Sequence, residues 1–188
     1  MEAFIPAGYW QGFGGEVFLM GAGGSALAIS SYLANPSRGP DVPSRIVISN
    51  RSQPRLDDAK RKLAGLNDKV RWEYILCETA EENDAVLKGV RPHSLIVNAT
   101  GLGKDRPGSP LTDACDFPAD SLVWELNYRG DLVFMRQAQA QRDQKRLAIE
   151  DGWIYFIHGW TQVIAEVFHV DITGPVLDRC EQIAHSLR

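Results

Sequence analysis

The residues in this chain best suited to chemistry form a glycine-rich turn, GAGGSA at 21–26, directly after the apolar run EVFLM at 16–20. Gly21 permits a tight turn, Gly23 leaves space because it has no Cβ atom, and Ala26 is small enough for a helix to pack close to a strand. A strand, such a turn and a helix present free backbone N–H groups to an anion. The pattern predicts a Rossmann turn that binds the diphosphate of a dinucleotide, although glycine turns without a ligand also follow strands. The predicted contacts are Gly21, Ala22, Gly23, Gly24 and Ser25.

A second polar turn follows the apolar run RIVIS at 45–49, where Asn50, Arg51 and Ser52 come directly after the strand and Arg55 comes three residues later. The carboxylate that usually binds the ribose of NAD is absent from this turn. Guanidinium groups bind phosphate in a fork, so the turn favours a dinucleotide with a 2′-phosphate, which is NADP. The alternative is a solvated turn with two surface arginines.

A third polar turn, Asn98-Ala99-Thr100-Gly101-Leu102-Gly103, lies at the end of the apolar run SLIVNA at 94–99. In a doubly wound sheet, ligands lie beyond the carboxyl ends of the strands at the point where the strand order reverses. This turn is therefore the second candidate functional loop. The alternative is an Asn/Thr/Gly turn that only ends a strand.

Together these motifs resemble the NADP-binding domain of the shikimate and quinate dehydrogenases. The resemblance rests on GAGGSA, on NRSQPR at 50–55 and on NAT at 98–100, and it covers about residues 14–174. It implies NADP as the cofactor and a cyclic hydroxy acid as the substrate. It also implies that Asn98, Ala99 and Thr100 lie along the ribose and diphosphate, and that Leu126, Tyr128 and Gly152 lie near the nicotinamide. Tyr128 could equally be an aromatic residue in a strand-to-helix turn.

The chain departs from this family at the substrate end. The family usually continues after the glycine with Leu-Gly-Met and a substrate-binding Gln, but Trp153-Ile154-Tyr155 follow Gly152 here and Gly159 takes the Gln position. Lys104 stands where the family usually has an apolar residue. The SxS, NVTxPxK and NTD motifs of the family's catalytic domain are absent. We therefore expect no catalytic residue in this chain, and we interpret residues 1–15 as a lead-in from a missing N-terminal substrate domain.

Apolar runs alternate with helical patterns along the rest of the chain. The fold class expected is α/β, a doubly wound, mostly parallel six-stranded sheet (Rossmann fold) in a single domain over residues 16–188. The predicted strands cover 16–20, 45–49, 70–76, 94–99, 121–126 and 146–151. The predicted helices cover 25–34, 54–65, 79–90, 131–145, 153–170 and 175–187. Thr79 and Glu82 form the pattern of a capping box.

Composition excludes several other classes of protein. The 188 residues carry a net charge of −4, which gives no support to nucleic-acid binding. No apolar run approaches the ~20 residues of a membrane helix, and the first residues lack the pattern of a secretory signal. The three cysteines are odd in number and far apart, as expected for reduced thiols in the cytoplasm, and no Cys/His cluster suggests a metal.

We expect the chain to be the NADP(H)-binding domain of a shikimate/quinate dehydrogenase-like oxidoreductase, with a substrate domain in cis if the chain is a fragment. One alternative is a non-catalytic module that senses NADP. Another is a related oxidoreductase that uses a different hydroxy or oxo acid. We allow for a homodimer, because the sequence leaves the oligomeric state open.

Overall fold

The computed structural model describes residues 4–186, and a six-stranded sheet forms its centre. The strands are β1 (Glu16–Met20), β2 (Arg45–Asn50), β3 (Arg71–Leu76), β4 (Leu95–Asn98), β5 (Leu122–Glu125) and β6 (Ala148–Glu150). The helices are α1 (Tyr9–Phe13), α2 (Gly24–Leu33), α3 (Gln53–Leu63), α4 (Ala80–Lys88), α5 (Val133–Lys145), α6 (Trp153–Phe168) and α7 (Pro175–Ser186).

The strands are arranged in the order β3-β2-β1-β4-β5-β6, and every pairing is parallel. Parallel neighbours need a crossover connection, and helices supply most of these connections here. The order reverses between β1 and β4, so the switch point of a doubly wound sheet lies there. The predicted Rossmann fold is confirmed, and the sheet is wholly rather than mostly parallel.

The apolar strands are buried because each face of the sheet is covered. Alternate residues of β1 point to opposite faces: Val17 and Leu19 belong to a core shared with α1, α2 and α3. Phe18 and Met20 belong to a second core shared with α4 and α5. This explains why the strands are continuous apolar runs rather than alternating ones.

Local signals account for most element boundaries. The predicted capping box is confirmed, since Thr79 Oγ1 accepts from Glu82 N while the Glu82 carboxylate accepts from Thr79 N. The Pro/Gly-rich insertion at 35–44 contains one 3₁₀ turn, Pro36–Arg38. The predicted strands and helices are all present, and none of their ends differs by more than two residues.

The two ends of the described chain are buried to different extents. The lead-in contains α1, whose Trp10 is buried in the core. Helices α6 and α7 contain no buried residue among those described. From the sequence we expect the aromatic residues of α6 to belong either to the core or to a domain interface, and Trp160, which is 56% exposed, does not belong to the core of this chain. None of the helices within residues 4–186 is long and apolar enough to cross a membrane.

Candidate dinucleotide-binding site

The predicted functional turns meet at one edge of the sheet because parallel strands end there together. Gly21 N donates to Ser49 O (2.8 Å), which joins the end of β1 to the end of β2. Ala99 N donates to Met20 O (2.8 Å) across the switch point, and Leu126 N donates to Asn98 O (3.1 Å). These bonds fix the three turns side by side.

A cavity of about 590 Å³ opens at this edge, within the usual size range of ligand pockets. It brings together nine of the predicted site residues, which are Gly21, Ala22, Gly23, Asn50, Arg51, Ser52, Arg55, Ala99 and Thr100. It is not lined by six others, which are Gly24, Ser25, Asn98, Leu126, Tyr128 and Gly152.

The glycine turn has two glycines with different functions. Gly21 has φ = 112°, and a Cβ there would lie 2.6 Å from Ala99 O, so the turn itself requires glycine. At Gly23 a Cβ would meet no atom within 4 Å, and the residue lines the cavity. Gly23 also precedes α2 without any side-chain cap, which leaves the first N–H groups of that helix available to an anion.

The turn between β2 and α3 contributes unpaired cations to the cavity. Asn50 Oδ1 accepts from Ser52 N (2.9 Å), which fixes the turn. Within residues 4–186, the guanidinium groups of Arg51 and Arg55 have no hydrogen-bonding or ionic partner. An exposed arginine pair without a carboxylate partner is free to bind a phosphate.

Sequence reasoning missed the opposite wall of the cavity. That wall comes from the segment after β3 and from the loop after β4, and its residues are Cys77, Glu78, Thr79, Ala80, Asn83, Gly101, Leu102, Asp105, Arg106, Ser109 and Pro110. Asn83 joins the two segments: its Oδ1 accepts from Ser49 Oγ (2.6 Å) and its Nδ2 donates to Pro110 O (3.1 Å). Gly101 and Leu102 belong to the loop that was predicted from the sequence. The position after β3 was a usable signal, because strand ends share an edge, whereas residues 105–110 carry no local signal.

The charges that line the cavity favour an anion. Arg51, Arg55 and Arg106 face Glu78 and Asp105. Asp105 is already paired with Lys104 (3.3 Å) and with Arg129 (3.4 Å), so it contributes little negative charge to the cavity. Cys77 supplies no thiolate, since burial raises its pKa to about 11.

The loop after β4 rests on a buried polar cluster. Asn98 is fully buried behind the loop, where its Oδ1 accepts from Thr100 N (3.0 Å) and Thr100 Oγ1 (2.7 Å). Its Nδ2 donates to Glu125 Oε2 (2.8 Å), on the neighbouring strand. Glu125 is also fully buried, and burial raises its pKa to about 7 against the opposing effect of its hydrogen bonds. Asn98 therefore shapes the loop, while Ala99 and Thr100 line the cavity.

The residues predicted near the nicotinamide lie together beside the cavity. A Cβ at Gly152 would lie 2.0 Å from Leu126 O, so only glycine permits this approach of α6 to the β5 turn. The Tyr128 ring stacks on Phe156 of α6 at a centroid distance of 4.1 Å. Tyr155 donates from its hydroxyl to Ser25 Oγ (3.0 Å), which joins α6 to the start of α2.

Two polar side chains near this end contact neighbouring residues. His158 contacts the Glu181 carboxylate, so this histidine joins α6 to α7. Lys104 Nζ lies 5.3 Å from the centroid of the Tyr128 ring. Within the described part of the chain, no three His, Cys, Asp or Glu side chains are grouped so that they could hold a metal ion.

Comparison with known proteins gives a consistent result. No protein-family model matches the chain. The chain is 28% identical to the shikimate dehydrogenase (NADP(+)) of Lactococcus lactis subsp. cremoris (strain MG1363) over 130 residues, which are 69% of this chain and 43% of that protein. It therefore spans less than half the length of this relative.

Two solved structures share the fold over nearly the whole chain. One is a chorismate mutase/shikimate 5-dehydrogenase fusion protein from Clostridium acetobutylicum, with a TM-score of 0.55 and 14% identity over 93% of this chain and 55% of the other. The second is 5-ketofructose reductase of Gluconobacter sp. strain CHM43, with a TM-score of 0.55 and 15% identity over 91% of this chain and 57% of the other. The resemblance found in the sequence is thus confirmed: the chain is homologous to shikimate dehydrogenase and has a Rossmann fold.

Proposed function

We propose that this chain is the NADP(H)-binding domain of a shikimate/quinate dehydrogenase-like oxidoreductase that acts on a cyclic hydroxy acid. The observation that carries the proposal is the pair of unpartnered guanidinium groups, Arg51 and Arg55, next to an open glycine turn. A domain that served only as a scaffold would have no need for two uncompensated cations at this position. The similarity to the Lactococcus shikimate dehydrogenase (NADP(+)) supports the same conclusion.

The residues present fit this cofactor. A side chain at Gly23 would fill space that is empty in the chain alone, as expected where a diphosphate approaches the backbone. Arg51, Ser52 and Arg55 would hold the 2′-phosphate, and Ala99 and Thr100 would lie along the ribose and diphosphate. When bound, the nicotinamide supplies hydride transfer to or from a secondary alcohol carbon. Leu126, Tyr128 and Gly152 would bound its ring.

The proton-transfer group would come from outside this chain. Hydride transfer from an alcohol needs a base within hydrogen-bond reach of the hydroxyl. Among the residues described near the nicotinamide end, His158 is exposed and does not line the cavity, and Gly159 has no side chain with which to bind substrate. We propose a substrate domain in cis, which would pack on the exposed apolar face of α6 and α7. That face includes Trp160, Val163, Val167, Phe168 and Val176.

A second candidate function is an NADP-sensing module without catalysis. The feature that favours it is Gly159 at the position where the family's substrate-binding Gln would stand. A related oxidoreductase with a different hydroxy or oxo acid would also tolerate this change. All three candidates include the NADP site. They differ in whether the complete protein is an enzyme and, if it is, in which hydroxy or oxo acid it uses.

Calorimetric titration of the chain with NADPH and NADH tests the common part of these candidates. We expect NADPH to bind more than about tenfold tighter, because charge-assisted contacts to the 2′-phosphate contribute roughly 1.5–3 kcal/mol each. Gly23→Val should abolish binding without unfolding the chain, since the added side chain meets only open space. Gly159→Ala, on the exposed face of α6, is the matched control and should bind normally. Equal affinities for the two cofactors, or full affinity in a folded Gly23→Val variant, would contradict the proposal.

A further inference from the structure

A carboxylate lies fully buried between β4 and β5, at the edge of the sheet that holds the cavity. Glu125 is the last residue of β5, and its side chain points into protein rather than into the cavity. It accepts three hydrogen bonds, from Asn98 Nδ2 to Oε2 and from Asn127 N and Asn127 Nδ2 to Oε1, each 2.8 Å long. The group therefore joins the strand end of β4 to the turn after β5.

The three groups that hydrogen-bond to this carboxylate are all donors. Asn98 cannot turn its carbonyl oxygen toward Glu125 without losing the bonds from Thr100 N and Thr100 Oγ1. Asn127 presents both its backbone and its side-chain N–H groups. Only a side chain that accepts on both oxygens satisfies all three donors; the carboxyl group of Glu has two such oxygens, whereas the amide of Gln has one.

The two asparagines that Glu125 orients also hold the loop after β4. The Leu102 carbonyl oxygen accepts from Asn127 Nδ2 (2.9 Å) and from Asn98 Nδ2 (3.4 Å). Thr100 and Leu102 both line the cavity. The carboxylate therefore lies behind the wall of the cavity and fixes the position of two of its residues.

Stability alone does not explain an ionisable group at this position. Burying a carboxylate costs free energy that hydrogen bonds only partly offset, and an apolar residue of similar volume is often as stable or more so. Asp151, which follows β6, adds repulsion. The two accepting oxygens of the group are what the surrounding donors require.

We propose that Glu125 is a positioning residue, which holds the loop after β4 and the turn after β5 in the single arrangement that binds the nicotinamide half of the cofactor. The inference rests on the proposed function, because it assigns the role within the same NADP site. It predicts that substitution of Glu125 weakens the binding of ligands that reach the turns after β4 and β5. The affinity of ligands that contact only the glycine turn and Arg51 should not change. Glu125 itself touches no ligand.

The test compares two ligands on the same variants by isothermal titration calorimetry. NADPH extends across both halves of the site, whereas adenosine 2′,5′-bisphosphate has the 2′-phosphate and one further phosphate but no nicotinamide. Glu125→Gln keeps the shape of the side chain but places an NH₂ group against Asn98 Nδ2 or against the Asn127 donors. Asn127→Ala is a second variant, which removes one donor and the bond to Leu102 O while the strands stay intact.

The matched control is Ser121→Ala. Ser121 Oγ accepts from Ser94 N (3.0 Å) at the opposite end of the same two strands, and both residues are buried. This variant loses a buried hydrogen bond between β4 and β5 away from the cavity. Thermal unfolding followed by circular dichroism reports the stability of all three variants.

We expect Glu125→Gln and Asn127→Ala to bind NADPH about tenfold more weakly and adenosine 2′,5′-bisphosphate within about twofold of the wild type, since one or two hydrogen bonds that fix the loop are lost. Ser121→Ala should bind both ligands normally even where its unfolding temperature falls. Parallel loss of both ligands in a folded variant, or unchanged NADPH affinity in both, would overturn the positioning role while leaving the NADP site intact. A wild-type chain that binds neither ligand would overturn the proposed function as well.

Discussion

Replacing Arg51 by alanine removes one of the two free cations from the turn between β2 and α3. Arg51 is exposed and lines the cavity, and within residues 4–186 its guanidinium group has no partner to lose. Truncation therefore leaves no buried charge or broken ion pair behind. Its effect on ligand binding should be confined to the contact with the 2′-phosphate.

The expected magnitude follows from this exposure. A hydrogen bond between charged groups contributes about 1.5–3 kcal/mol, and solvent screening at an exposed site favours the lower end. A loss of about 1.5 kcal/mol corresponds to roughly a tenfold weaker affinity for NADPH. NADH lacks the 2′-phosphate, so its affinity should change by less than about twofold. The double variant Arg51→Ala/Arg55→Ala should lose about a hundredfold if the two contacts are independent.

Calorimetric titration with NADPH and NADH at low and high salt measures these differences. The matched control is Arg61→Ala on α3, the helix that follows the turn, because Arg61 is 73% exposed, pairs with Asp58 and lies outside the cavity. The loss of NADPH affinity in Arg51→Ala should shrink as salt increases, since screening already weakens the wild-type contact. If Arg51→Ala weakens NADPH and NADH equally, or if Arg61→Ala weakens NADPH as much, the assignment of the 2′-phosphate contact is refuted.

Three further expectations concern stability and activity. Glu125 has a folded pKa of about 7 against an ordinary value of 4.5, so the folded chain holds a proton that the unfolded chain releases between these values. As the pH rises from about 4.5 to about 7, the wild type should therefore lose up to about 3 kcal/mol of unfolding free energy relative to Glu125→Gln. Urea unfolding measures this difference, and an equal dependence of the unfolding free energy on pH in the two proteins would contradict it. Gly21→Ala should lower the free energy of unfolding by about 2 kcal/mol or more, because φ is positive there and the added Cβ would lie too close to Ala99 O. Gly24→Ala is the control and should change the free energy of unfolding by less than about 1 kcal/mol in the same urea-unfolding measurement. The chain alone, given NADP and a panel of cyclic hydroxy acids, should form no NADPH; turnover that disappears in Tyr128→Phe would instead make the domain a complete enzyme.

The fold could be predicted from the sequence because its signals are local. The apolar run 16–20 is β1 residue for residue, and the Thr79 capping box marks the start of α4. The exact ends of the later helices depend on packing, as at α4, which ends at Lys88 rather than at residue 90. Propensity alone does not locate such a boundary.

The site was less predictable because part of it is assembled by long-range contacts. Gly23, Arg51 and Thr100 could be found, since each follows directly after a strand that ends at the same edge. Arg106 could not be found in this way, because its loop is held in place by a contact between Asn83 and Pro110. Glu125 could have been noticed in the sequence, because an acidic residue within an apolar strand is unusual. The prediction of a strand at 121–126 did not use this feature.

The exposed hairpin of α6 and α7 divides the chain into regions of unequal resistance to local unfolding. The first turn of α6 is anchored by Tyr155 and Phe156, but beyond it the helix is open to solvent, and Phe168 near its end is 68% exposed. Regions with few buried apolar contacts open at a lower free energy than the core. Amide hydrogens of α6 and α7 should therefore exchange with solvent long before those of β1, and a partner that covers the hairpin would slow that exchange without altering the sheet.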